Sequence, residues 1–398
     1  MKLFFITFSA IESGASDVSR LSFELPLLAE LCEVHILQLC PKRNMEKKVN
    51  GKAFFHGLDI SFSGWNVCNL EEKSKEIGKI IETIHPDIVI LTKEVWDFMN
   101  SLSIKLEKRY PFAVFLHAMP FLGAPQSVSS NFESDVKKYL DSGLETYKRE
   151  YNFKHYKEAK RIFSRINLIA MTPTVQFYIK NYFPSLKSIL FLPLVYSGLI
   201  DKKKQNKSYK YDFLYMARME KGKGIEYLPR ILLEIYNIVK KPISIAVVGK
   251  MDDDFSQKAL EILVQTGKES KKFKVTVLGW LNNKQKKYIL NNSKVFLYPS
   301  LFDTFSLVLA EALSSGLPSI VWDTLFIQQS YAKIREVKKV PFPNFKEFAQ
   351  KAVECLENRK ELSSKCLPST IFPQVSKLVK TDIEAYKKII RRFYEKSE

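Results

Sequence analysis

Residues 299–318 read PSLFDTFSLVLAEALSSGLP, and this stretch joins a short strand to an amphipathic helix. The preceding apolar run, Lys294–Tyr298, ends at a Pro-Ser pair, which is typical of a buried strand followed by a break. From Ser306 onward, apolar residues recur at helical spacing until a Gly-Leu-Pro turn. The sequence therefore predicts a loop at the carboxyl end of a strand, the edge where open parallel α/β sheets bind ligands.

Two carboxylates, Asp303 and Glu311, lie eight residues apart across this transition. Asp303 falls in the loop and Glu311 about two helical turns later, so both are able to face one ligand. The free N–H groups at the start of the helix favour a phosphate group there. A simpler interpretation stays open, in which Asp303 caps the helix and Glu311 is an ordinary solvated residue.

This stretch resembles the signature of retaining nucleotide-sugar glycosyltransferases of the glycogen-synthase and phosphatidylinositol-mannosyltransferase type. Those enzymes carry Glu-x7-Glu between a Pro-Ser strand end and a Gly-x-Pro turn, whereas this chain has Asp303 in the first position. The resemblance implies the GT-B fold, an α/β architecture of two doubly wound Rossmann-like domains facing each other across a cleft. It also implies that Glu311 binds the donor ribose and that Asp303 contacts the donor sugar. Backbone N–H groups of Phe305 and Ser306 would then contact the sugar and diphosphate, with Thr304 beside them in the donor-binding loop.

A basic loop follows the predicted strand Tyr211–Ala217 and reads RMEKGKG. Cations after a strand end lie where a diphosphate would bind, and fixed cations stabilise a departing diphosphate without a metal. The segment resembles the Gly-Arg-Leu-x3-Lys-Gly motif of the same family, which implies that Arg218 and Lys223 bind the donor phosphates. An ordinary basic loop in a lysine-rich chain is the alternative.

Four further strand ends carry candidate residues. Gly14 follows the first strand, and the resembling enzymes use a glycine-rich first loop to approach the donor phosphate or the acceptor. His117 ends the predicted strand Ala113–Leu116, and the resemblance implies that it contacts the donor sugar, although a structural role stays open. Gly249 and Trp280 follow two other strands where similar turns line the nucleotide base, and ordinary turns explain both almost as well.

The sequence predicts neither a metal centre nor a disulfide framework. The five cysteines are odd in number and form no CxxC pair. The acidic run Asp252–Asp254 lies in a predicted loop, and we interpret it as a helix cap rather than as a Mg²⁺ site. We therefore expect no metal and no cofactor, the nucleotide sugar being a substrate.

A chain of 398 residues with 46% hydrophobic and 26% charged residues suits two globular domains. Apolar runs alternate with helical patterns in both halves, which predicts parallel sheets. We place an N-terminal acceptor domain at residues 1–200 and a C-terminal nucleotide-sugar donor domain at residues 201–375. As in the resembling family, a C-terminal helix at about 376–398 is predicted to pack back on the first domain. A basic amphipathic helix lying on a membrane is the alternative.

Lysine and arginine outnumber the acidic residues 62 to 43, which gives a formal net charge of +19. The basic residues are dispersed without a nucleic-acid-binding motif, so we expect no nucleic-acid partner. Solvated lysine faces and peripheral contact with an anionic membrane both stay open. We interpret the apolar start MKLFFITF as a buried strand rather than a signal peptide, and no uncharged run is long enough to cross a bilayer. We expect a cytoplasmic protein.

Together, the motifs predict a glycosyltransferase of glycan biosynthesis or protein glycosylation. It would move a hexosyl-type unit from a nucleotide diphosphate sugar to an acceptor hydroxyl of a glycan or lipid-linked saccharide, and the resemblance implies retention at the anomeric carbon. The resembling enzymes use front-face attack, in which the leaving phosphate takes the acceptor proton. The alternatives are a catalytically silent homologue that binds a sugar nucleotide or serves as a partner subunit, and an adaptor driven by its positive charge.

Overall fold

A computed structural model describes residues 1–8, 16–39, 52–63, 66–93, 95–107, 109–117, 160–183, 186, 209–220, 222–251, 254–358 and 375–395. These residues form two compact units, each built around a six-stranded sheet. The first unit contains the described residues up to 186 together with the helix Val375–Tyr394, and the second contains those from 209 to 358.

The main sheet of the first unit is parallel throughout. Its strands are β1 Lys2–Thr7, β2 Glu33–Gln38, β3 Ala53–Gly57, β6 Ile88–Leu91, β7 Phe112–Leu116 and β8 Asn167–Ala170, and a two-residue antiparallel pair is formed by β4 Phe62–Ser63 and β5 Asn66–Val67. The order across the sheet is β3-β2-β1-β6-β7-β8. The helices among the described residues of this unit are Ser16–Leu31, Leu70–Ile84, Trp96–Leu106, Pro173–Tyr182 and Val375–Tyr394. Leu3 to Ile6 are completely buried, as expected for a parallel strand covered on both faces.

The helix Val375–Tyr394 packs within the first unit. Val379, Ile383, Tyr386 and Ile389 are buried on one face, and the ring of Tyr386 meets the ring of Phe5 edge-on at a centroid distance of 6.3 Å. The same helix contacts the helix Ser16–Leu31. Its apolar face is therefore occupied by protein, and its lysines and arginines lie on the other side. Among the helices of the described segments, none has an apolar stretch long enough to span a membrane.

The second unit repeats the same winding. Its strands are β9 Tyr211–Met216, β10 Ile243–Val248, β11 Phe273–Gly279, β12 Ser293–Tyr298, β13 Ser319–Trp322 and β14 Val337–Val340. They pair in parallel in the order β11-β10-β9-β12-β13-β14. The helices are Leu228–Val239, Asp254–Ser270, Asn283–Asn291, Leu307–Ser314, Leu325–Ser330 and Phe345–Glu357. A 3₁₀ turn, Ile225–Tyr227, precedes the first of them.

The predicted fold class, two doubly wound α/β domains, is confirmed. The strand predicted at Lys294–Tyr298, before Pro299, runs from Ser293 to Tyr298, and the helix predicted from Ser306 onward runs from Leu307 to Ser314. The predicted boundary between the two domains, at residues 200 and 201, lies outside the described residues.

Asp212 joins three strands of the second sheet. Its carboxylate accepts hydrogen bonds from the backbone N–H and the hydroxyl of Ser244, each at 2.9 Å, and Lys294 Nζ lies 2.7 Å away. Burial raises the pKa of Asp212, but the hydrogen bonds from Lys294 and Ser244 outweigh burial and hold the pKa below its ordinary value. The ionised carboxylate is therefore part of what holds β9, β10 and β12 together.

Replacing Asp212 with asparagine should lower the free energy of unfolding by about 1–2 kcal/mol near neutral pH, because Lys294 loses its charged partner. A carboxyl whose folded pKa is depressed contributes stability above its unfolded pKa and loses it as the pH falls through the folded pKa. The difference between wild type and variant should thus shrink below about pH 4. Urea denaturation at a series of pH values measures this. Glu357→Gln at an exposed position is the control, and a difference that stays constant with pH would contradict the assignment.

Candidate functional site

The carboxyl ends of β9 and β12 meet at the topological switch point of the second sheet, because the strand order reverses between these two neighbours. The loop after β9 carries Lys223, and the loop after β12 carries Asp303. The two loops are in contact, since the backbone N–H of Leu301 donates to the carbonyl of Gly222 at 2.9 Å. The structure thus brings together two residues that are eighty positions apart in sequence.

Two glycines are required by the close approach of these strand ends. Gly224 has a φ of 88°, and a Cβ atom there would lie 2.1 Å from the carbonyl oxygen of Pro299. Gly249, after β10, has a φ of 152°, and its Cβ atom would lie 1.8 Å from the carbonyl oxygen of Ala217. Any side chain at either position would therefore force the loops around the switch point apart.

Lys223 is a nearly buried cation between the two loops. Its ammonium group donates to the carbonyl of Phe302 at 2.7 Å and to Asp303 Oδ2 at 3.1 Å, and its side chain is 15% exposed. The hydroxyl of Tyr215 donates to the carbonyl of Lys223 at 3.2 Å, which fixes the backbone. An ammonium group has three donors, and the contacts within the described residues use two. The third N–H donor of Lys223 is therefore able to bind water or a ligand.

The carboxylate of Asp303 is occupied by hydrogen bonds from nearby residues of the protein. Its Oδ2 atom accepts the hydroxyl of Tyr298 at 2.8 Å beside Lys223. Its Oδ1 atom accepts three successive backbone N–H groups, those of Thr304 at 2.8 Å, Phe305 at 3.4 Å and Ser306 at 3.2 Å. Five donors fill a carboxylate that offers about four lone-pair sites. The N–H groups that we expected to face the donor phosphate therefore point at Asp303.

The surroundings of Asp303 favour its ionised form. Burial raises its pKa, but the charge of Lys223 and the hydrogen bonds from Tyr298 and Thr304 outweigh burial and hold the pKa below its ordinary value. Burial, together with the neighbouring carboxylate, raises the pKa of Tyr298 well above its ordinary value. Tyr298 is therefore a neutral hydrogen-bond donor to a charged acceptor, which is among the stronger kinds of hydrogen bond.

Ser306 holds the loop in an uncommon backbone conformation. Its φ is 66° and its ψ is 87°, and its hydroxyl accepts the backbone N–H of Leu309 at 3.3 Å, so Ser306 rather than Asp303 is the helix cap. The carbonyl of Ser306 accepts the hydroxyl of Tyr331 at 3.0 Å, and the Tyr331 ring lies 5.5 Å from that of Phe305. Positive φ at a non-glycine residue costs energy and is concentrated at functional sites.

Glu311 is buried, with 3% of its side chain exposed, on the helix Leu307–Ser314. Lys286, on the helix Asn283–Asn291, donates to Glu311 Oε1 at 2.8 Å. The other oxygen, Oε2, has no hydrogen-bond partner within the described parts of the chain. The interpretation of Glu311 as a solvated residue is therefore wrong. Because a buried acceptor without a partner is rare, Oε2 is a candidate contact for a ligand hydroxyl.

Two other predicted residues of the second unit lie elsewhere on the strand ends. Arg218 pairs with Glu220 at 2.8 Å and its side chain is 64% exposed, so its loop presents it to solvent. Trp280 follows β11 and is 71% exposed, and the adjacent Gly279 carbonyl accepts the N–H of Gly249 at 2.9 Å.

In the first unit, His117 Nε2 lies 2.9 Å from the carbonyl of Thr92, which joins the ends of β7 and β6. Its contact with a donor sugar stays a prediction. Gly14 lies outside the described residues.

The described ranges contain no group of three or more His, Cys, Asp or Glu side chains that could hold a metal ion. Asp254 begins the helix Asp254–Ser270, while Asp252 and Asp253 lie outside the described residues. Cys32, Cys68 and Cys355, the cysteines among the described residues, form no disulfide bond.

Residues 210–358 match a family model described as glycosyl transferases group 1. The chain is also 30% identical over 108 residues to an uncharacterised glycosyltransferase of Methanocaldococcus jannaschii. That match covers 27% of this chain and 26% of the relative, so it spans about a quarter of either protein. The predicted resemblance to glycosyltransferases is confirmed for residues 210–358, and the retaining mechanism stays a prediction.

Solved structures share the fold over almost the whole chain at low sequence identity. Sucrose-phosphate synthase from Thermosynechococcus elongatus superposes with a TM-score of 0.71 at 13% identity, covering 98% of this chain and 100% of that chain. Anabaena HepE in complex with UDP gives 0.67 at 13% identity, with the same coverage. The pneumococcal O-GlcNAc transferase GtfA in complex with UDP and GlcNAc gives 0.63 at 11% identity, covering 98% and 99%. At these identities the similarity shows the GT-B fold alone.

Proposed function

We propose that this chain, whose residues 210–358 belong to the group 1 glycosyl transferases, moves a hexosyl-type unit from a nucleotide diphosphate sugar to an acceptor hydroxyl. The observation that carries the proposal is the nearly buried Lys223 at the switch point, bonded to Asp303 and retaining a spare donor. A fixed cation in a poorly solvated position stabilises the charge that develops on a departing diphosphate. Lys223 would supply this charge without a metal.

Glu311 supports the placement of the nucleotide. Its unpartnered oxygen is an acceptor, and a ribose presents hydroxyl donors, so ribose binding would satisfy a group that is otherwise buried without a partner. Trp280 follows β11, two strands from β9, and offers an exposed aromatic face where a base can stack. Since two of the similar structures contain UDP, a UDP-sugar is the first donor to test.

The proposed reaction proceeds with retention at the anomeric carbon. The acceptor hydroxyl attacks from the face that the diphosphate leaves, and its proton passes to the leaving phosphate oxygen. Such a reaction needs no nucleophilic side chain, and it needs charge stabilisation at the phosphate, which is the role of Lys223. Asp303 orders the loop by binding three of its N–H groups. We propose a glycan or a lipid-linked saccharide as the acceptor.

One observation favours a second candidate, a catalytically silent protein that binds a sugar nucleotide. The carboxylate of Asp303 is filled by donors of its own loop and by Lys223, so a sugar hydroxyl must displace one of them to reach it. A homologue that retained nucleotide binding through Glu311 and lost the sugar contact would have this geometry.

Purified full-length chain should first be melted in the presence of UDP-, GDP- and ADP-sugars, because a ligand that binds the native state raises the melting temperature. The stabilising donor is then incubated with glycan and lipid-linked acceptors, and the anomeric configuration of the product is read by NMR. We expect a UDP-sugar to stabilise the protein and an α-linked donor to give an α-linked product. Stabilisation without transfer or hydrolysis would favour the silent homologue, and an inverted product would contradict the retaining mechanism.

A further inference from the structure

A basic depression lies beside β14, the edge strand of the second sheet, and its lining contains none of the residues of the candidate donor site. It has a volume of about 280 Å³ and is lined by residues of the segment 332–339 and by Lys351. Val337 begins β14 and pairs with Ser319 at the start of β13. Asp303 follows the carboxyl end of β12, two strands from β14, and is not part of the lining.

The lining is strongly cationic. Its eight residues include five cations and no acid, the cations being Lys333, Arg335, Lys338, Lys339 and Lys351. Lys339 donates to the carbonyl of Ala332 at 3.1 Å, and Lys351 is 3.4 Å from Glu354, which lies outside the lining. Lys333 and Lys338 have no carboxylate partner in the described parts of the chain. Cations gathered in this way repel one another, and a bound anion would relieve the repulsion.

Edge-strand lysines have an ordinary explanation, because they discourage pairing with a second sheet edge. That explanation accounts for Lys338 and Lys339, which lie between the buried Val337 and Val340 on the edge strand β14. It does not account for Lys333 and Arg335 in the preceding loop or for Lys351 on the following helix. Three separate elements converge on one concave surface with the same sign of charge, which is typical of an anion-binding site.

We propose that the depression binds the phosphate groups of a compact, multiply charged anion. Its volume lies near the lower end of the ~300–1,000 Å³ found for small-molecule sites, so a diphosphate or a phospholipid headgroup suits it better than a whole nucleotide sugar. Lysine ammonium groups bind phosphate as point charges from several directions. The inference does not depend on the transfer reaction, since it uses no residue of the candidate donor site.

The test compares two charge-matched double variants. Lys333→Gln with Lys338→Gln removes two lining cations, while Lys258→Gln with Lys268→Gln removes two exposed cations from the helix Asp254–Ser270. Both are made in a chain that also carries Lys223→Ala, so that whatever pyrophosphate the donor site still binds is the same for the two variants. Inorganic pyrophosphate is titrated by calorimetry, and circular dichroism checks that each variant is folded. We expect the lining variant to bind pyrophosphate at least about tenfold more weakly and the control to bind normally.

A second arm identifies the source of the phosphate. The same variants are sedimented with phosphatidylcholine vesicles that contain or lack phosphatidylserine. Loss of vesicle binding in the lining variant alone would assign the depression to a lipid headgroup, whereas selective loss of pyrophosphate binding without any vesicle binding would assign it to a soluble anion. Equal binding by the lining and control variants in both arms, or no binding by the parent chain, would overturn the proposal.

Discussion

Replacing Lys223 with alanine is expected to lower kcat for sugar transfer by about 10²- to 10³-fold, the effect of losing one preorganised donor to a developing charge. Lys223 is 15% exposed and is bonded to the carbonyl of Phe302 as well as to Asp303, so its ammonium group is held in one place. A fixed charge needs little reorganisation when the diphosphate departs. The loss should therefore appear in kcat more than in KM.

The variant should remain folded, because Asp303 keeps its other donors. The hydroxyl of Tyr298 and three backbone N–H groups still satisfy the carboxylate when the ammonium group is removed. Since Lys223 is one of the groups that lower the pKa of Asp303, its removal should raise that pKa and move the acid limb of the stability profile to higher pH.

Steady-state rates at saturating nucleotide sugar measure the effect on kcat. Lys223→Arg, which keeps the charge but alters its position, should recover part of the activity. Lys268→Ala, an exposed lysine of the same unit, should behave as wild type. Full turnover by Lys223→Ala would show that the diphosphate is stabilised by another group and would remove the central support of the proposed function.

The local parts of this site are predictable from sequence because each depends on a few adjacent residues. The apolar run before Pro299 and the helical spacing after Ser306 give the strand and helix, and the order of strands then brings Lys223 and Asp303 to one switch point. The strand β14 was missed, because its pattern Val-Lys-Lys-Val contains too few apolar residues to mark a buried strand.

The partners within the site are not predictable in the same way. Lys286 belongs to one of several Lys-Lys sequences in the chain, and nothing in the sequence distinguishes it from the others. Only the packing of two helices brings it to Glu311. The backbone path at Ser306, with its positive φ, turns three N–H groups toward Asp303, and no pattern of apolar residues encodes that conformation. Hydrophobic periodicity determines which elements form, whereas the pairing of charges depends on tertiary packing.

The second large effect concerns the pair of Lys286 and Glu311, whose two members should not be equivalent. Glu311 has 3% of its side chain exposed and Lys286 has 22%. Removing the partner of a buried charge typically destabilises a protein by about 3–5 kcal/mol. Lys286→Met leaves the buried carboxylate of Glu311 without its charged partner, so we expect the free energy of unfolding to fall by about 3–5 kcal/mol. Glu311→Gln leaves a lysine whose flexible stem is able to carry its ammonium group to water, so the loss should be closer to about 1 kcal/mol.

Urea denaturation of the ligand-free protein measures both variants, and the double variant separates pairing from burial. Glu311→Gln together with Lys286→Met contains no buried charge at this position and should be more stable than Lys286→Met alone. Lys284→Met, on the same helix and exposed, is the control for the substitution itself. If the two single variants lost equal stability, the difference in burial between the two side chains would not determine how much stability each substitution costs.

The affinity for nucleotide should rank the two single variants in the opposite order from their stability. If Glu311 Oε2 accepts a ribose hydroxyl, Glu311→Gln should weaken UDP binding by about tenfold or more, since a hydrogen bond to a charged group contributes about 1.5–3 kcal/mol. Lys286→Met keeps the carboxylate and should bind UDP better than Glu311→Gln does, although it is the less stable protein. Calorimetric titration below the melting temperature of each variant tests this. Weaker binding by Lys286→Met than by Glu311→Gln would mean that the ammonium group, rather than the free carboxylate oxygen, contacts the nucleotide.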